Sequence, residues 1–241
     1  LTVNGVEYPF ARSDVNSLVI EGGAGWDTFV LQADAGGGMA ELQPGMAAWT
    51  GAGYRVSMTD MESATIHSGG GRTLATFHDS PGNDAFVGTP LFAELRGSDF
   101  VNRVEGFSSV HVVGSGGLDS AWLYDSTGND TLIVGPTETK LSGRGFSNRV
   151  RAFDSVHAGG EAGGYDVAML YNSRGDMLLR AAGKKAEVSF GRSLSNASVA
   201  EPAHVALVDF KRVRGFSYGG KSTRSELAAV DFVLELISLQ S

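Results

Sequence analysis

The sequence predicts an all-β chain, a parallel β-solenoid built from 46-residue repeats, and three observations carry that expectation. The first is an internal offset. Asp84 and Asp130, Gly97 and Gly143, Phe100 and Phe146, Asn102 and Asn148, Phe107 and Phe153, Val110 and Val156, and His111 and His157 are all 46 apart. The second is composition: 34 of 241 residues are glycine and only six are proline, about twice ordinary glycine usage, which calls for many tight turns. The third is local vocabulary. Short apolar pieces such as DTLIVG at 130–135 and DVAMLYNS at 166–173 are bounded by Gly, Asn, Asp or Ser, as strands between turns are, and helix signals are nearly absent. A strand of that length cannot bury its face alone, so similar copies stack and equivalent apolar residues form ladders. A β-propeller or β-prism is the alternative, because four short strands per 40–50 residues also make a blade.

Read in order, the chain is one repeat domain. Residues 1–21 form an N-terminal cap, whose LTVNGVEYPF alternates around an Asn-Gly turn and predicts a first hairpin. A divergent copy covers 22–81: Met61 stands 46 before Phe107 and Ala64 46 before Val110. Two good copies follow at 82–127 and 128–174. A second divergent copy covers 175–224, where Phe210 and Val213 lie 57 after Phe153 and Val156, an insertion of eleven residues. Residues 225–241 form a C-terminal cap. Val, Phe and Ile alternate in its apolar centre, which predicts a final long strand over a covering helix.

The segment GGAGWDTFV at 22–30 fits Gly-Gly-x-Gly-x-Asp-x-apolar-x without a mismatch. Looser versions are Gly82-Asn83-Asp84 and Gly128-Asn129-Asp130, together with Gly117-Leu118-Asp119 and Gly164-Tyr165-Asp166. Glycines let backbone carbonyls converge, the aspartate supplies charged oxygen, and the apolar residue plugs the inside of the coil. These turns resemble the RTX, or hemolysin-type, calcium-binding repeat. The resemblance implies a right-handed parallel β-roll with metal between successive turns, and export from a bacterial cell. It makes Asp27, Asp84 and Asp130 the candidate metal ligands and Ca2+ their cofactor. The chain departs from that family in spacing, because its nonapeptides run in tandem whereas Asp84, Asp119, Asp130, Asp166 and Asp176 are successively 35, 11, 36 and 10 apart. The competing reading is an ordinary strand-opening turn, in which the carboxylate accepts its own backbone N–H groups. Carboxylates in register would repel one another and favour a bound cation.

Charge and motifs narrow the function. Asp and Glu number 27 against 19 Lys and Arg, a net charge of −8, which argues against a nucleic-acid partner. No apolar run approaches a membrane span, so membrane insertion is not expected. The absence of cysteine removes disulfides and thiolate-bound zinc. The chain opens on Leu1 without a basic and apolar leader, as an excised or processed segment would. Asn102 and Asn148 predict a buried amide ladder or a closed turn, and His111 and His157 make a poor metal pair without a third ligand. Residues that repeat, such as Arg103, Arg149, Tyr124 and Tyr171, make a periodic surface, whereas one active site needs an exception to the repeat. His78 and Lys140 are exceptions, but each stands alone. The expected function is therefore a non-catalytic extracellular scaffold or adhesion module of a larger surface protein, calcium-stabilised, with a polysaccharide or a neighbouring surface protein as partner. The alternative is a polysaccharide lyase, hydrolase or epimerase acting on acidic glycans.

Overall fold

Strands are the only regular elements among residues 2–3, 5–9, 15–172, 176–191, 204–218 and 223–239, which the computed structural model describes. The all-β expectation holds, and the packing divides the chain into two units, Leu1–Asp119 and Ser120–Ser241.

In the first unit the strands are β1 (Thr2–Val3), β2 (Val6–Glu7), β3 (Ser17–Glu21), β4 (Thr28–Gln32), β5 (Gly38–Gln43), β6 (Gly45–Gly51), β7 (Tyr54–Met61), β8 (Ser63–His67), β9 (Thr73–His78), β10 (Ala85–Gly88), β11 (Phe92–Arg96), β12 (Val101–Glu105) and β13 (Ser109–Val113). They form two mixed, parallel-rich sheets ordered β2-β1-β4-β8-β12-β11-β10 and β13-β9-β5-β6-β7-β3. The first hairpin expected at the N-terminus is β1–β2, with Gly5 at φ 77° in its turn and β1 antiparallel to β4.

The second unit holds β14 (Ser120–Tyr124), β15 (Thr131–Val134), β16 (Glu138–Gly143), β17 (Phe146–Arg151), β18 (Ser155–Gly159), β19 (Val167–Asn172), β20 (Asp176–Gly183), β21 (Lys185–Gly191), β22 (His204–Val208), β23 (Arg212–Tyr218), β24 (Thr223–Val230) and β25 (Val233–Leu239). Its orders are β14-β18-β22-β21-β20-β24 and β25-β23-β19-β15-β16-β17. The tail is two strands rather than one. β24 extends one sheet beside β20 and β25 the other beside β23, and its side chains are largely exposed where the core runs out. The insertion in the last copy falls mostly in 192–203, outside the described residues.

Strands of successive coils pair in parallel. Phe29 of β4 lies opposite Ala64 of β8, and Ala64 opposite Asn102 of β12. Ala75 of β9 lies opposite Val110 of β13, and Ala121 of β14 opposite Val156 of β18. Parallel pairing between coils does not suit the antiparallel blades of a propeller. It also corrects the expected ladders, because coils stack at 35 or 38 residues in these pairs and not at 46. Ala64 and Val110, 46 apart, belong to different sheets of the first unit. Val156 and Val213, 57 apart, belong to different sheets of the second.

The reason is that a unit of five strands, such as β5–β9 or β15–β19, makes three sheet changes before the next copy of its first strand. Three of the strands form an antiparallel meander, β5–β7 in one sheet and β10–β12 in the other. An odd number of changes sends the next copy of every element to the opposite sheet. β15–β17 and β20–β22 alternate in the same way within the second unit.

Alternating side chains fill the space between the sheets, with Phe29, Trp49, Phe77, Phe86, Leu95 and Leu132 fully buried. Phe77 and Phe86 meet edge to face at 5.9 Å, and so do Trp49 and Phe107. Such contacts add to the area these rings remove from water. One strained residue recurs before the buried aromatic or methionine of each repeat. Asp60, Ala152 and Asp209 have φ of 55°, 58° and 58°, and Gly106 has 70°. A left-handed residue with a Cβ costs about 1–2 kcal/mol. The chain accepts that cost three times, so the bend that drops Met61, Phe107, Phe153 and Phe210 into the core is a fixed part of the repeat.

Candidate metal centres in paired turns

Turns from consecutive coils lie against each other at two equivalent places. In the first unit Asp79-Ser80-Pro81-Gly82-Asn83-Asp84 leads from β9 into β10. Gly117-Leu118-Asp119, one coil on, follows β13 and ends the unit. In the second unit Asp125-Ser126-Thr127-Gly128-Asn129-Asp130 leads from β14 into β15, and Gly164-Tyr165-Asp166 leads into β19. The two turns of each pair are in backbone contact. A Cβ on Gly117 would collide with the Gly82 carbonyl, and one on Gly164 with that of Gly128. Only glycine permits this approach.

The hydrogen bonds are the same at both places. Ser80 donates its N–H and hydroxyl to Asp84 Oδ2 at 3.0 and 2.7 Å, and Ser126 does the same to Asp130 Oδ2 at 2.7 and 2.8 Å. Across the coils, Asp84 N donates to Asp119 Oδ1 at 2.9 Å and Asp130 N to Asp166 Oδ1 at 2.8 Å. Asn83 Oδ1 accepts from Leu118 N, and Asn129 Oδ1 from Tyr165 N. Asp79 accepts from Ser115 N and Asp125 from Ala162 N.

These contacts gather Asp79, Asp84 and Asp119 in the first unit and Asp125, Asp130 and Asp166 in the second. Each trio is buried, with one carboxylate oxygen per residue lying within 4.8 Å of the others. Asp84 Oδ1, Asp130 Oδ1 and Asp166 Oδ2 are buried and accept no hydrogen bond. Burial raises the pKa of Asp119 to about 7, helped by its contacts with Asp79 and by the Asp84 charge, against the hydrogen bond from Asp84 N. Burial likewise raises Asp166 to about 6, with Asp125 and Asp130 adding and Lys211 opposing. Asp84 and Asp125 are raised too, chiefly by burial. Three close carboxylates facing unfilled acceptor positions, with oxygen as the only donor type, can hold a hard metal ion. The cradle is shaped around them. A Cβ on Gly97 would strike Asp84 Oδ1 and the Phe100 ring, and one on Gly143 would strike Asp130 Oδ1 and the Phe146 ring.

Of the three metal ligands expected from sequence, Asp84 and Asp130 each enter a trio. Asp27 is buried at the start of β4, and its N–H donates to Glu62 Oε2 at 2.7 Å. It joins no group of three among the described residues. Within GGAGWDTFV, Phe29 fills the core as the pattern requires. Sequence reasoning noted the turns of Asp119 and Asp166 without making them ligands, and it missed Asp79 and Asp125 altogether. Their signal was the recurrence of Asp-Ser-x-Gly-Asn-Asp at 79–84 and 125–130, 46 residues apart.

The other candidates are placed apart from these turns. Asn102 and Asn148 are buried, and Asn102 Nδ2 donates to the Gln43 carbonyl at 3.0 Å, closing a turn of the facing sheet. His111 lies 3.5 Å from Ser109 Oγ, and His157 stacks on Trp122 at 5.6 Å. Arg103 pairs with Glu94 and Glu105 over the Phe92 ring, whereas His78 faces Glu41 on the other sheet of the first unit. Tyr124 is exposed on β14. Lys140 and Arg149 are direct cross-strand neighbours, and Tyr171 stacks on Phe216. No family model, curated protein or solved structure matches the chain.

Proposed function

We propose that the chain is a non-catalytic scaffold or adhesion module of a larger extracellular or cell-surface protein. Its stacked turns are stapled by Ca2+, and its outer faces bind polysaccharide or a neighbouring surface protein. The observation that carries this reading is the recurrence of one buried acidic trio at the same repeat position in both units. A catalytic centre needs an approach for substrate and a departure from the repeat. These carboxylates are shielded from solvent and duplicated, which suits a structural ion. Two ligands come from one turn and the third from the next coil, so an ion among them ties coil to coil. Calcium fits this chemistry because it takes six to eight oxygens in flexible geometry, and backbone carbonyls complete what three carboxylates begin.

The test is a calcium titration of the whole chain by calorimetry, with melting curves in calcium and in chelator. Saturable uptake and a higher melting temperature in calcium are expected, since only the folded chain assembles the site. An unchanged melting curve and no heat would reduce the trios to hydrogen-bonded turns. The scaffold reading fails separately if the chain releases reducing ends or unsaturated products from an acidic glycan.

A further inference from the structure

One face of the second unit carries charge opposite in sign to the chain as a whole. On the sheet β17-β16-β15-β19-β23-β25, strand alternation turns Arg149, Arg151, Lys140, Arg212 and Arg214 outward. Only Glu138 and Glu235 stand among them. Glu138 is 3.5 Å from Arg149 and 4.0 Å from Arg151, and Glu235 is 3.7 Å from Arg212 and 2.7 Å from Arg214. Each carboxylate is thus divided between two guanidinium groups. Lys140 has no carboxylate within ion-pair distance among the described residues, and the Nε of Arg149 and of Arg212 is buried without an acceptor. Five cations against two anions leave three positive charges on a chain of net charge −8.

The two sheets of the first unit differ. On one, Arg96 and Arg103 are matched by Glu94 and Glu105, and on the other the outward Arg55 is outnumbered by the outward Glu21 and Glu41.

The cations flank an apolar strip. Register places Arg149, Lys140, Ile133, Met169 and Arg214 in one row across five strands, a span of about 19 Å at the usual strand spacing. Beside that row the Tyr171 ring lies on Phe216 at 4.9 Å and 12°, with Tyr218 at 6.4 Å. We propose that this face binds a linear acidic polysaccharide, of uronic acid or sulfated sugars, running across the strands. Its anionic groups meet the two basic edges, and the C–H flanks of its rings lie on Ile133, Met169 and Tyr171. The proposal rests on reading the chain as a non-catalytic scaffold. Nucleic acid fits less well. The negative charge of the rest of the chain repels a densely charged phosphate chain.

The test uses the whole chain, calcium-loaded and then desalted, with heparin and oligogalacturonate as probes, neutral dextran as control and duplex DNA as the rival polymer. Saturable binding of at least one acidic glycan, weakened by salt and absent for dextran, is expected. Lys140→Glu should weaken it about threefold, and Lys140→Glu with Arg149→Gln about tenfold or more, as screened surface pairs are lost. Lys185→Glu, on the other sheet of the same unit, should leave it unchanged, and Lys140→Glu should not alter melting. The proposal is overturned if neither acidic glycan binds, if the double variant binds as well as the parent, or if DNA binds at least as tightly. Loss of the glycan result with the calcium response intact overturns this surface alone, whereas product formation overturns the scaffold reading beneath it.

Discussion

The segment at 22–30 and the turns at 79–84 and 125–130 make an instructive pair. The first matches a calcium nonapeptide at every position, yet its aspartate meets the chain of Glu62 through a backbone N–H and joins no trio among the described residues. The other two match poorly, yet each brings two aspartates to a third from the following coil. A local pattern specifies a turn. A metal centre also needs a third carboxylate. Glu62, one coil after Asp27, accepts its N–H as Asp119 and Asp166 accept those of Asp84 and Asp130, but Gly22 stands where the other turns carry Asp79 and Asp125. Asp119 follows Asp84 by 35 residues and Asp166 follows Asp130 by 36, which is one coil in each case.

The largest effect that sharpens this contrast should come from the ion itself. At calcium one hundred times the dissociation constant, each occupied site should stabilise its unit by about 2.7 kcal/mol, read as a rise in melting midpoint over chelator. Asp84→Asn and Asp130→Asn should each remove one site from the calorimetric stoichiometry. In chelator the same variants should melt no lower than the parent, because one of three repelling carboxylates has gone. A variant that loses stability equally with and without calcium would show that the aspartate serves its turn and not an ion.

Next in size is Gly143→Ala. Its methyl group must displace Asp130 and the Phe146 ring, and a loss of about 2 kcal/mol or more in denaturant unfolding is expected. The matching Gly97→Ala should behave alike in the first unit, and a neutral result at either would mean the cradle is loose.

Proton binding gives a third measure. Asp119 and Asp166 have folded-state pKa values raised to about 7 and about 6 by burial and neighbouring carboxylates. The folded chain therefore binds more protons than the unfolded chain above the ordinary carboxylate range. In chelator, the stability these two groups contribute should be fully present only below about pH 4, fall as the pH rises from there toward 7, and level off above it. Calcium should oppose that fall. Melting temperatures that climb with pH in chelator would contradict the raised values.

The smallest expected effect is at the best sequence match. Asp27→Asn should change neither the number of ions bound nor the melting shift with calcium. A lost site in that variant would restore the nonapeptide as a centre in its own right.

Much of this was legible from residues alone, because turns and strand alternation are set by near neighbours. The 46-residue period, the strands at 130–135 and 166–173, the hairpin around Gly5 and the burial of Phe107 and Phe153 follow from glycine placement and side-chain alternation. Asp84 and Asp130 were found for the same reason. Asp79 and Asp125 were not, since each closes a strand several residues before the glycine turn and looks in isolation like a surface aspartate. Only the 46-residue recurrence marked them.

The sequence by itself determined the all-β class, the repeat and the places where the chain must bend. Tertiary structure decided which strands are neighbours. Five strands and three sheet changes per repeat place Ala64 and Val110 in opposite sheets, and no local preference records that parity. The same nonlocal pairing decided which carboxylates meet. Burial and mutual repulsion, which raise Asp119 and Asp166, exist only once coils 35 or 36 residues apart are stacked.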